Sequence, residues 1–188
     1  MSKLDLKNVT FICADDIPEH RETIDEIIKH TTNMIDFGDV VFQDTGIGSI
    51  KNYNLFCAKE LNNLVKTDYC LVFQWDGYPI KVNAWNPDWF KYDYIGAPWL
   101  LQPWEMNKTV GNGGFSLRSR RFIEQTFKAH YEGEEAEDVF FCRTSPVDCR
   151  FAPAGAAYYF SVEDMPYKGQ FGFHGAATVQ LNKRLGIF

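Results

Sequence analysis

No stretch of this 188-residue sequence stays apolar for the roughly 20 residues that a membrane-crossing helix requires, so a helical membrane span is excluded. Lysine and arginine never gather into a block and the net charge is −6, which disfavours a protein that grips a nucleic-acid backbone. The opening MSKLDLKNVTFICADD has no cationic lead into a long apolar segment, so a secretory signal is not expected. The five cysteines, Cys13, Cys57, Cys70, Cys142 and Cys149, form no CxxC pair, which removes the zinc knuckle and the redox dithiol. They read as small buried apolar groups in a reducing compartment, the cytoplasm. Repeats, low-complexity tracts and linkers are also missing, and the length suits one domain over residues 1–188.

What the chain does have is rings: 16 phenylalanines, nine tyrosines and five tryptophans. They can fill a core or line a cleft, and composition does not separate the two uses. The apolar pattern predicts a buried strand over 6–13 (LKNVTFIC), then a helix opened by Pro18 with Ile24, Ile27, Ile28 and Thr31 at helical spacing. A second strand is expected over 39–43. Ser49 reads as the N-cap of a helix carrying Ile50, Tyr53, Cys57, Leu61 and Leu64, and a third strand is expected over 68–74 (DYCLVFQ). Strand–helix–strand–helix–strand at short intervals argues for a mostly parallel mixed sheet flanked by helices, an α/β Rossmann-like fold. The second half predicts a short helix or turn over 83–90, strands near 94–97 and 114–117, helices over 119–129 and 137–143, and a late strand over 158–162.

In sheets of this kind the ligand crevice lies beyond the carboxyl ends of the strands, and Asp15, Asp16, Asp44 and Asp76 all fall just past a predicted strand end. Four segments invite a chemical reading. GNGG (111–114) lacks the Lys-Ser/Thr of a P-loop and the spacing of a dinucleotide loop; it is either a turn leading into a strand or the floor of a pocket where backbone meets ligand. QWDG (74–77) is either a strand-ending turn or the place where Asp76 binds a divalent ion. Glu137 and Asp138 either favour a helix N-terminus or supply a carboxylate base. His174, in FGFHG, is a packed ring or a ligand.

In the order DYCLVFQWDG, DYIGAPW, GNGGFSLRSR, EDVFF and FGFHG, these motifs resemble glycosyltransferases of the GT-A fold, and most of all a little-characterised glycosyltransferase-like domain family. The resemblance spans about residues 9–175. It implies transfer of a sugar from a nucleotide-diphospho-sugar, with a UDP-sugar favoured, to a glycan or other hydroxyl acceptor. It further implies inversion and assistance by Mn²⁺ or Mg²⁺. The Asp-x-Asp motif of such enzymes reads Gln74-Trp75-Asp76 here, so the resemblance carries Asp76 and His174 over as metal ligands and leaves Gln74 as a sugar or ribose contact. It places Asp15 and Asp16 at the nucleoside, Gly113, Gly114 and Arg118 around the donor, and Asp138, with Glu137 as its rival, as the base. Trp75, Tyr78, Trp85, Trp89, Trp99 and Trp104 are offered as sugar-stacking faces or as packing. Two other classes compete: a binding module without turnover, and a metal-dependent hydrolase using Asp15, Asp16, Asp76 and Asp138. Nucleic acid is not an expected partner.

Overall fold

Leu4–Ala14 forms strand β1, buried along almost its whole C-terminal half. A continuous apolar run of this kind belongs to a strand covered on both faces. It pairs in parallel with β2 (Ile35–Gln43) on one side and β3 (Tyr69–Val72) on the other. Beyond β3 the sheet reverses: β5 (Ser116–Ser119) runs antiparallel to both β3 and β4 (Tyr94–Ile95). The order is β2-β1-β3-β5-β4, so four strands share one direction and the mostly parallel mixed α/β sheet is as expected. The computed structural model describes residues 2–99, 110–163 and 165–186.

Alternation along the strands splits the core in two. Phe11, Leu71 and Phe73 face α1 (Arg21–Met34), which buries Ile24, Ile27 and Thr31 at helical spacing. Phe11 stacks between Phe37 and Phe73. Ile12, Cys70 and Val72 face the opposite way, onto Phe56, Cys57 and Leu61. That second layer starts at α2 (Ile50–Leu55), where the Ser49 side chain accepts the N–H of Asn52 as an N-cap. It continues through a π turn, Phe56–Glu60, into α3 (Leu61–Leu64). Ser119 caps α4 (Arg120–Lys128) in the same way, and the Lys59 ammonium donates to the Phe127 and Ala129 carbonyls at that helix's C-terminus.

In the second half, α5 (Glu137–Val139) runs into another π turn, Phe140–Thr144. Residues 158–160, expected in a strand, instead complete helix α6 (Ala154–Phe160). Pro153 precedes its first turn, Ala157 and Phe160 are buried three apart, and only β6 (Ser161–Val162) remains extended. β6 pairs in parallel with β7 (Gly172–Phe173), and α7 (Ala176–Arg184) follows. Trp85 and Trp89 join Phe160 and Phe171 in an edge-to-face cluster, and Trp89 is only 2% exposed, so these rings pack the core. Trp104 lies outside the described residues. Among the described residues, no helix is long and apolar enough to cross a membrane.

Candidate active site

The carboxyl ends of β1 and β3 open into a cleft of about 370 Å³ bounded by Asp15, His20, Ile47, Tyr53, Gln74 and Trp75. The two aspartates build its rim by binding backbone. Asp15 accepts the Ile17 N–H through Oδ1 at 2.8 Å and pairs with His20 Nδ1 through Oδ2 at 2.8 Å. Asp16 accepts the N–H groups of Ile47 (2.9 Å) and Gly48 (2.8 Å), pinning the loop after β2 against the end of β1. The His20 ring, steadied by Asp15, stacks on Trp75 with centroids 4.5 Å apart. Trp75 is thus the expected aromatic that faces this cleft. Asp44 points elsewhere and pairs with Arg21 on the surface at 3.3 Å. Of the expected site residues, two larger clefts, of about 530 and 610 Å³, contain Trp85 alone, at the edge of the second.

Next to this cleft, Gln74-Trp75-Asp76-Gly77 closes into a tight turn held by reciprocal backbone hydrogen bonds between Gln74 and Gly77, with Trp75 and Asp76 at its tip. The turn meets His174, which extends β7. His174 Nε2 lies 2.9 Å from Gln74 Oε1 and 3.8 Å from Asp76 Oδ1, while Nδ1 lies 3.1 Å from Glu163 Oε1. Asp76, Gln74 and His174, far apart in sequence, are therefore brought to one point. Glycine makes that possible: a Cβ at Gly114 would sit 2.0 Å from His174 Nε2, and one at Gly77 would sit 2.5 Å from His174 Cδ2.

Gly111 to Gly114 form a turn with Asn112 in the left-handed region at φ 71°. One carboxylate oxygen of Asp138 accepts both the Asn112 N–H (2.7 Å) and the Gly113 N–H (3.1 Å). The other accepts the N–H of Val139 at 2.9 Å. α5 is set in place by Asn54 of α2, whose Oδ1 accepts the Glu137 N–H at 3.4 Å and whose Nδ2 donates to the Gly133 and Glu135 carbonyls. On the side of Trp99, a Cβ at Gly111 would fall 1.7 Å from the indole, so that ring packs on the turn.

Arg118 and Glu137 also come together, but beneath the turn and away from solvent. Ser116 and Arg118 share a face of β5, as alternation implies, and the Arg118 Nε donates to Ser116 Oγ at 2.9 Å. Its terminal nitrogens donate to both Glu137 oxygens at 2.7 and 3.2 Å and to the Gly113 carbonyl at 2.9 Å. Arg118 is 0% exposed and Glu137 2%. Burial pushes the Glu137 carboxyl up against the pull of Arg118. Burial opposes the Arg118 charge as well, yet Glu137 holds that guanidinium well above the ordinary arginine range. Of the donor and base residues expected from sequence, this pair supports the glycine turn from beneath, whereas Asp138 keeps partial exposure beside it. Glu163 and His20 were not among the expected site residues; Glu163 follows β6, and His20 sits in a single turn before α1.

Could the Asp76 corner hold a divalent ion? Donors bound at about 2.1 Å around an octahedral ion stand about 3 Å apart when adjacent. His174 Nε2 and Gln74 Oε1 meet that spacing, and Asp76 Oδ1 is within a small side-chain movement of it. Among the described residues no three His, Cys, Asp or Glu side chains form such a group. The set is thus one carboxylate, one imidazole and one amide oxygen, three donors of the kind Mn²⁺ or Mg²⁺ accepts.

A solved glycosyltransferase involved in the glycosylation of the major capsid of PBCV-1 has the same overall fold, with a TM-score of 0.58 over 96% of this chain and 99% of that one at 12% identity. The A197 structure from STIV aligns at a TM-score of 0.43 and 17% identity over 78% of this chain and 82% of that one. No curated protein matches the sequence. The chain belongs to DUF5672, a family described as proteins of unknown function, whose pattern matches residues 37–174. The matched span carries the Gln74–Asp76 turn, the Gly111–Gly114 turn and His174.

Proposed function

We propose that this protein is a GT-A-type glycosyltransferase that moves a sugar from a nucleotide-diphospho-sugar to a hydroxyl acceptor with inversion. The observation that carries the reading is the meeting of Gln74, Asp76 and His174 over the Gly113-Gly114 floor, beside a nucleoside-sized cleft. The extent of the fold similarity to the capsid glycosyltransferase, nearly end to end in both chains, supports it.

In this reading the nucleoside of a UDP-sugar lies in the cleft against the His20–Trp75 stack. Asp15 and Asp16 shape that cleft through the loops they hold. The diphosphate lies at the Asp76–His174 corner, where Gln74 Oε1, Asp76 and His174 Nε2 would hold Mn²⁺ or Mg²⁺. Such an ion, when bound, supplies positive charge against the departing diphosphate. The sugar rests over Gly113 and Gly114. An acceptor hydroxyl attacks the anomeric carbon from the face opposite the diphosphate; a new C–O bond forms, the bond to the diphosphate oxygen breaks, and the hydroxyl proton passes to the Asp138 carboxylate. The products are a glycoside and a nucleoside diphosphate.

Thermal stabilisation by UDP-, GDP-, CMP- and dTDP-sugars, each with Mn²⁺ and with EDTA, tests donor binding. A bound donor at about a hundred times its Kd adds roughly 2.7 kcal/mol. Release of nucleoside diphosphate tests turnover. Asp138→Asn keeps an oxygen for the Asn112 and Gly113 N–H groups and removes the base, so donor binding should persist while turnover falls at least about 100-fold. Because both Asp138 oxygens already serve backbone N–H groups, a binding module without turnover is the competing reading. Donor binding with no consumption, or turnover unaffected by Asp138→Asn, would establish the first alternative or remove Asp138 as base, respectively. No shift with any donor would sink the transferase.

A further inference from the structure

We propose that Glu163 is the positioning residue of His174, fixing which ring nitrogen carries the proton and which one faces Asp76. The proposal rests on the donor-site reading only for its metal-binding arm. β6 and β7 pair in register, Ser161 with Gly172 and Val162 with Phe173, so the next residues along the two strands, Glu163 and His174, leave the ribbon side by side. The His174 N–H donates to the Val162 carbonyl at 3.0 Å, continuing the ladder to that point. Adjacency here is a consequence of pairing, and it places a carboxylate oxygen 3.1 Å from Nδ1.

The ring has little other freedom. Gly77 and Gly114 close on it so tightly that a methyl on either would overlap ring atoms. A carboxylate accepts and cannot donate, so the contact with Glu163 requires a proton on Nδ1. Nε2 is then the nitrogen presented to Gln74 and Asp76; with no ion bound, its lone pair at 2.9 Å is met by the NH2 end of the Gln74 amide, which turns its oxygen inward only around an ion. Without Glu163, the oxygen acceptors left beside the ring are Gln74 Oε1 and the Asp76 carboxylate, both on the Nε2 side, and the proton moves to Nε2 to meet them. That change withdraws Nε2 as a ligand.

The test is long-range ¹H–¹⁵N correlation of the imidazoles at about pH 8, where ordinary histidines are neutral. The chain has four histidines, so His174→Asn assigns the relevant signal. The wild-type protein should show a protonated Nδ1 on His174. Glu163→Gln, whose amide carbonyl still accepts, should keep that pattern; Glu163→Leu should move the proton to Nε2. Mn²⁺ affinity, read by electron paramagnetic resonance of the free ion, should fall about 10- to 100-fold in Glu163→Leu and much less in Glu163→Gln. An unprotonated Nδ1 in the wild-type protein overturns the proposal by itself, even if Glu163→Leu fails to fold. So does an unchanged pattern in Glu163→Leu. If the wild-type protein binds neither Mn²⁺ nor any nucleotide-sugar while the tautomer responds as described, the donor-site reading fails and the positioning role stands.

Discussion

Adding one methyl group at Gly114 offers a sharp test of the site's construction. The Cβ of Gly114→Ala would lie 2.0 Å from His174 Nε2 and 2.3 Å from Gln74 Oε1, and Cβ contacts below 3.0 Å essentially do not occur. The ring or the turn must therefore retreat by about 1 Å or more. Gly114 does not have a positive φ, so alanine brings no backbone strain and the effect is purely one of space. Overpacking of this kind costs about 1–3 kcal/mol. For a chain of this length that lowers Tm by roughly 2–12 °C. Losing 1 Å of alignment at a reacting centre costs on the order of 100-fold in rate. Gly155→Ala is the control: its Cβ meets nothing within 4 Å, it lies in α6, and alanine should raise stability by up to about 1 kcal/mol. Scanning calorimetry of both variants, with donor binding measured alongside, gives opposite signs if the packing is as described. A Gly114→Ala protein with wild-type Tm, donor affinity and His174 imidazole signals would refute the account of the floor.

Other expectations follow from the buried polar groups. Arg118→Met strands the Glu137 carboxylate and should cost about 3–5 kcal/mol in urea unfolding, whereas Arg118→Met combined with Glu137→Leu should recover most of it; equal losses in both would contradict the pairing. Asp93, buried and bound by Ser119, the Arg150 N–H and the Arg150 guanidinium, is pulled below the usual carboxylate range by Arg150 and Ser119 against the opposing effect of burial. Its contribution is complete above the unfolded carboxylate range, near pH 4, and disappears as pH falls through the depressed value. The stability gap between wild type and Asp93→Asn should accordingly be constant from pH 5 to 8 and close in acid; a gap that grows in acid has the wrong sign. Thiol counting should find Cys149 as the half-buried, slowly reacting cysteine in the native protein, with Cys13, Cys57, Cys70 and Cys142 reacting only after unfolding.

The parallel half of the sheet was legible because its signals are local. Runs such as VTFICA need burial on both faces, and Ser49 announces its helix by capping. The strand expected over 158–162 failed because Tyr158, Tyr159 and Phe160 carry a strand preference that Pro153 and the small residues before them override. α7 has no strong apolar periodicity, and no helix was foreseen there. The site divides in the same way. Gln74, Asp76, Gly113, Gly114 and His174 were singled out by motif, and folding brings them together. Arg118 and Glu137 were singled out as well, but their mutual pairing, 19 positions apart, could not be read from either one. Glu163 carries no motif, and its proximity to His174 exists only through a two-residue parallel ribbon.

The two π turns have a consequence for how such a chain can change over generations. Each is a helix carrying one more residue per turn than an α-helix needs, and each follows a short helix that serves the site: Phe56–Glu60 after α2, Phe140–Thr144 after α5. Removing a single residue from the second would let the backbone relax into ordinary α geometry and swing the start of α5 by about 100° relative to Phe141. Asp138 would leave the Asn112 and Gly113 N–H groups, and Glu137 would leave Arg118. Length in this stretch is therefore informative on its own: a chain one residue shorter between Glu137 and Ser145 would need another way of holding its glycine turn.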